Sequence, residues 1–182
     1  MEQRYDLSGS LLHWYDYNKR ILPWRENKDP YRIWISEIML QQTRVEAVKP
    51  YFDRFMEALP TVYDLAKVDD DRLMKLWEGL GYYNRARNLK AAAQTIVEEY
   101  GGQLPADYDK LLSLKGIGMY TAGAIGSIAF ELQVPAVDGN VLRVLARLWM
   151  ILIFLKIRQR KRWEEESWNL CRKTDREILI RH

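Results

Sequence analysis

Apolar residues recur at i, i+3 and i+4 along most of the chain and strict alternation is nearly absent, which predicts an all-α fold. Leu7, Leu11, Leu12 and Tyr15 form the first stripe, on a helix that also carries His13, read as structural. Asp29-Pro30 opens the next helix, since aspartate caps free N–H groups and proline suits a first turn. The stripe it starts is Ile33, Trp34, Ile38 and Leu40. Lys49-Pro50 predicts a kink or break in the following helix, which continues through Tyr51, Phe55 and Met56. Short helices are expected around residues 61–67 and 70–77, then a turn at Gly79-Leu80-Gly81. A long helix through Ala86, Leu89, Ala93, Ile96 and Val97 should stop at Gly101-Gly102. Val141, Val144, Leu145 and Leu148 mark the last clear stripe, and after Met150 the periodicity is lost. A frayed surface tail would explain that end.

Composition narrows the class. A chain of 182 residues can bury one sizeable core, or two small ones sharing an interface. Its 48% hydrophobic and 29% charged residues are an ordinary globular balance. The apolar run Met150–Leu155 falls far short of the roughly 18 residues a membrane span needs. The N-terminal MEQRYDLSGS has no signal core, and the single Cys171 excludes an internal disulfide, so the expected compartment is a reducing cytosol. The net charge of +3 is unevenly spread: residues 151–182 hold nine of the 28 Lys and Arg against five of the 25 Asp and Glu. That leaves 19 against 20 over residues 1–150, so a nucleic-acid partner has to be argued from motifs and not from bulk basicity.

The segment LLSLKGIGMYTAGAIGSIAF supplies such a motif. Leu111, Leu112 and Leu114 end a short helix, Gly116-Ile117-Gly118 makes a tight hairpin, and a helix rich in small residues begins at Thr121. The two glycines let the backbone turn sharply and approach another molecule, and the amides opening the second helix can meet a phosphate. Such a site needs no lysine and fixes the protein on the backbone without reading bases. A plain helix–turn–helix connection is the alternative; Lys115, ahead of the hairpin, reads as a phosphate or solvent contact. Two carboxylates stand out elsewhere. Asp138 precedes a helix and reads as an N-cap or as a chemical group. Glu37 lies among Trp34, Ile35, Ile38, Met39 and Leu40, and faces either solvent or a site.

Taken together, the hairpin, the Asp-Gly-Asn helix start and SEIMLQQT at Ser36–Thr43 resemble the helix-hairpin-helix DNA glycosylase superfamily in order and spacing. LPWR at Leu22–Arg25 and GLGYYNRARNL at Gly79–Leu89 are similar to its MutY-type adenine DNA glycosylase branch. The resemblance covers about residues 5–150, with a thinner echo in WEEESWNLC. It implies a six-helix domain over residues 25–135, with the helix-hairpin-helix at about 109–130. An incomplete second domain would form from residues 1–24 and 136–182. It further implies a flipped adenine whose glycosidic bond is hydrolysed, in base excision repair of adenine opposite guanine or 8-oxoguanine. Glu37 would be the general acid, its pKa raised by apolar neighbours, and Asp138 would stay ionised against the sugar. Related enzymes that also cut the strand carry a lysine where this chain has Tyr120, so base removal without incision is expected. Gln42 and Tyr82 would wedge into the duplex, Gly116, Ile117, Gly118 and Thr121 would hold its backbone, and Trp24, Arg25 and Leu40 would line the base pocket. The partner is a double-stranded DNA bearing an adenine mispair, met by a monomer. An endonuclease III-like enzyme and a catalytically disabled DNA-binding fragment are the alternatives.

The same resemblance implies a [4Fe–4S] cluster held by four cysteines, then a domain that senses 8-oxoguanine. With one cysteine, this chain is expected to carry no cofactor and no metal, and to be truncated relative to the family. One possible coding of residues 172–182 reads, in another frame, Gly-Asp-Phe-Asn-Gln-Ala, similar to what the family has ahead of its cluster cysteines. A frameshifted end is therefore an expectation, with residues 151–182 as an aberrant tail.

Overall fold

The computed structural model describes residues 7–153, and its regular elements are all helices. They are α1 (Leu7–Asn18), a 3₁₀ turn (Pro23–Arg25), α2 (Pro30–Leu40), α3 (Val45–Ala58), α4 (Val62–Lys67), α5 (Asp70–Trp77), α6 (Asn84–Tyr100), α7 (Tyr108–Ser113), α8 (Met119–Ala129) and α9 (Gly139–Ile153). Asp29 caps α2 by accepting from the Tyr31 amide at 2.9 Å, with Pro30 in the first turn. Thr61 and Asp64 close a capping box at α4, and Asp69 accepts from the Asp71 and Arg72 amides at α5. These separate caps make two short helices of residues 62–77, as the sequence pattern around 61–67 and 70–77 predicts. Gly101 ends α6 in the left-handed conformation at φ 61°. Pro50 does not break α3: the helix runs from Val45 to Ala58 with this exposed proline inside it.

One hydrophobic core runs from Trp24 to Ala136. Helices α2 and α8 pack against each other within it; Ile33, Trp34, Ile35 and Met39 are fully buried, and every residue from Thr121 to Ile128 is buried. Small residues on α8 permit a close crossing. A Cβ at Gly123 would stand 2.0 Å from the Pro135 carbonyl oxygen, so the segment after α8 lies directly on the helix and leads to Asp138. Tyr15 of α1 and Val141 and Leu145 of α9 are buried outside this core. His13 faces solvent, its ring edge-on to Tyr17 at 5.0 Å between centroids, and takes no part in a core. Helix α9 continues to Ile153, past the expected loss of periodicity; Cys171 and residues 154–182 lie outside the described residues. Among the described residues no helix is long and apolar enough to cross a membrane.

Candidate active site

The packing of α2 on α8 brings Glu37 and Tyr120 together. Glu37 belongs to the buried face of α2, and its side chain is only 3% exposed, so it does not face solvent. The neighbouring 3₁₀ turn delivers Arg25, whose Nη2 donates to Glu37 Oε1 at 3.2 Å. Burial pushes the Glu37 carboxyl above the ordinary carboxylate range, and the nearby Asp138 adds to the rise. Arg25 and then the Tyr120 hydroxyl, which donates toward the carboxylate, pull it partly back. The balance remains upward, as the apolar surroundings of SEIMLQQT predict. Burial, followed by the charges of Glu37 and Asp138, raises the Tyr120 phenol in turn, which keeps it a neutral donor.

Asp138 is held by the start of α9. Its Oδ1 accepts from the Asn140 and Val141 amides at 2.9 and 2.8 Å, and its Oδ2 from Asn140 Nδ2 at 2.8 Å. The carboxylate thus caps the helix, as the first of its two sequence readings has it, and also lines the cavity. That cavity measures about 900 Å³ and is walled by Glu37, Tyr120 and Asp138 together with Trp24, Arg25, Leu40 and Gln42. Trp14, Asn18 and Arg20, on or just after α1, also line it; nothing in their sequence pattern marked them. Three donors on cavity-lining side chains, Trp24 Nε1, Arg25 Nε and Arg25 Nη1, are buried without a partner among the described residues.

Gly116, Ile117, Gly118, Thr121 and Tyr82 do not line that cavity. Gly116 has φ 82°, and a Cβ there would meet Asn88 Cβ at 2.8 Å, which seats the hairpin on α6. Gly118 is the extended N-cap of α8, so the helix begins at Met119, two residues ahead of expectation, and its first amides lack intrahelical partners. The Ile117 side chain is buried and its amide donates to Leu114 O at 3.1 Å, so it anchors the hairpin. Thr121 is also buried. Gln42 and Tyr82 are exposed and both have left-handed backbone, φ 58° and 49°, a strain of roughly 1–2 kcal/mol each for a residue with a Cβ. A small cavity lined by Gln41, Asn88, Lys115 and Gly116 shows that the loop after α2 lies beside the hairpin. Tyr82 does not reach the large cavity.

Residues 35–173 match the family model described as HhH-GPD superfamily base excision DNA repair protein. The chain belongs to that superfamily. Among curated HhH-GPD relatives, an adenine DNA glycosylase of Rattus norvegicus is 47% identical over 148 residues, spanning 76% of this chain and 29% of that protein. Another from Buchnera aphidicola subsp. Acyrthosiphon pisum is 43% identical over 168 residues, 92% of this chain and 47% of that protein. The chain therefore spans less than half the length of either. A thermostable thymine-DNA glycosylase superposes with a TM-score of 0.82 at 30% identity, covering 94% of this chain and 82% of that one. An endonuclease III trapped as a covalent intermediate with DNA superposes at 0.75 and 25% identity, covering 96% and 78%. The [4Fe–4S] cluster implied by the sequence resemblance does not fit this donor set: four thiolates are needed and the sequence holds one cysteine. Among the described residues no group of three or more His, Cys, Asp and Glu side chains is placed to hold a metal ion.

Proposed function

We propose that this chain hydrolyses the N-glycosidic bond of adenine in duplex DNA, where adenine is mispaired with guanine or 8-oxoguanine. The observation that carries the proposal is a buried carboxyl, Glu37, with a raised pKa in a cavity that also contains Asp138. A protonated acid is what a poor leaving group such as adenine requires. Glu37 donates its proton to a ring nitrogen of the extruded base, the bond from C1′ breaks, and its electron pair leaves with adenine. Asp138 faces the cationic sugar; water then adds at C1′, and its proton passes to a carboxylate. The unpartnered N–H donors of Trp24 and Arg25 suit adenine, whose ring nitrogens are acceptors, and Leu40 offers an apolar contact.

Tyr120 supports release without strand incision, because a phenol cannot form the Schiff base a lysine makes with the sugar. Gly116, Gly118 and the backbone of Thr121 would hold phosphate, while Gln42 and Tyr82 would enter the duplex where the base leaves. We place the protein in the cytosol, acting as a monomer with residues 25–135 as its main domain.

The test is a panel of duplexes with adenine opposite 8-oxoguanine, thymine opposite guanine, and an oxidised pyrimidine. Adenine release alone, leaving alkali-labile but uncut strands, is the expected result. Trapping of the enzyme on DNA by borohydride would instead establish the endonuclease III-like chemistry, and duplex binding without any release would leave a disabled fragment.

A further inference from the structure

The loops that present Gln42 and Tyr82 come from distant parts of the chain, and one side chain joins them. Arg85, in the first turn of α6, sends Nη1 to the carbonyls of Ile38, Met39 and Gln41 at 2.8, 3.1 and 2.7 Å. Its Nη2 donates to the carbonyls of Leu80 and Gly81 at 3.0 and 3.2 Å. The first set ends α2, where the helix dipole is negative; Ile38 O there also accepts from the Gln41 amide at 3.4 Å. The second set belongs to the turn ahead of α6. The guanidinium also lies over the rings of Trp77 and Tyr82, 5.4 and 5.7 Å from their centroids. Trp77 Nε1 donates to Gly81 O at 3.1 Å, which braces the same turn from beneath.

We propose that Arg85 is a positioning residue that clamps the loop carrying Gln42 and the loop carrying Tyr82 into one rigid edge facing the duplex. Both tips hold left-handed backbone that an isolated loop would relax, and the clamp fixes the carbonyls that lead into each. A planar fork with two forward-facing nitrogens serves five acceptors on two segments. Lysine, a point charge with three donors on one nitrogen, cannot span them. The clamp rests on the proposed excision of a base from duplex DNA only in what the edge is for; its existence is a property of the free protein.

Two readouts on the full chain test it. In Arg85→Lys, amide hydrogen exchange should accelerate by about tenfold or more at residues 41–43 and 79–83, with α8 and α4 unchanged. Base extrusion is read with 2-aminopurine in place of the target adenine opposite guanine. Tyr82→Ala should lower the extruded fraction in the native background, yet add about twofold or less on top of Arg85→Lys. Such non-additivity is something a merely stabilising arginine would not produce. Unchanged exchange in either loop would overturn the clamp, as would full additivity of the two substitutions. If the native chain extrudes nothing, the excision reading fails, and loop exchange alone decides for or against the clamp.

Discussion

Glu37 is held between opposing influences, and each makes a distinct prediction at the scale of single residues. Excision requires its protonated form, so the single-turnover rate should fall as pH rises through its raised pKa. The Tyr120 hydroxyl favours the ionised form; in Tyr120→Phe the alkaline limb of the profile should therefore move to higher pH. A limb that stays put would mean that Tyr120 and Glu37 are not coupled. Stability carries the same sign. The folded-state pKa lies above the ordinary 4.5, so the stabilisation Glu37 gives is complete below that value and is lost as pH rises through the folded pKa. The melting temperature of the native chain, compared with Glu37→Gln, should accordingly decline as pH rises above about 4.5. SEIMLQQT placed Glu37 among apolar neighbours, but its burial and its pairing with Arg25 were not legible, because both depend on where the 3₁₀ turn meets α2. Arg85 was equally hidden: its role depends on backbone carbonyls of two loops 40 residues apart, which no side-chain pattern encodes.

Caps and small residues decide the outcome at the scale of helices. Thr61→Ala removes half of a capping box far from the cavity; it should lower stability by about 1 kcal/mol, seen as a melting shift of roughly 2–4 °C, with excision unchanged. Gly123→Ala is expected to be harsher, since its Cβ would press on a backbone carbonyl that cannot rotate away. A loss of about 1–3 kcal/mol is expected, with slower excision because the displaced segment is the one that ends at Asp138. Native-like excision in Gly123→Ala would show that Asp138 tolerates movement of this wall. Helix positions were the most legible part of the sequence, as Asp29-Pro30, Thr61 and Gly101 act locally. The hairpin was read two residues late at α8, because Gly118 supplies the N-cap through its backbone and has no side chain to signal it. Ile117 and Thr121 were legible as hairpin residues but not as buried ones, since burial there depends on contacts from α2 and α7.

Charge becomes informative for the whole molecule. Residues 1–150 are nearly neutral, so a duplex held mainly by hairpin amides should release few counterions. The slope of log affinity against log salt, followed by fluorescence anisotropy, should be shallow, about −2 to −4. A slope near −8 would shift the binding onto the basic residues 151–182. The large cavity belongs to this scale too: its walls come from α1, the 3₁₀ turn, α2, α8 and the start of α9, so no single motif contains it. Sequence order gave the two carboxylates; only the packing of α2 on α8 shows them sharing one space with Tyr120. The most direct measurement is single-turnover adenine release from an 8-oxoguanine:adenine duplex by the native chain and by Glu37→Gln. Release by the native chain that drops about 10²–10⁴-fold in the variant, with duplex affinity kept, is the predicted result. Release that survives in Glu37→Gln would contradict the assignment of Glu37 as the acid.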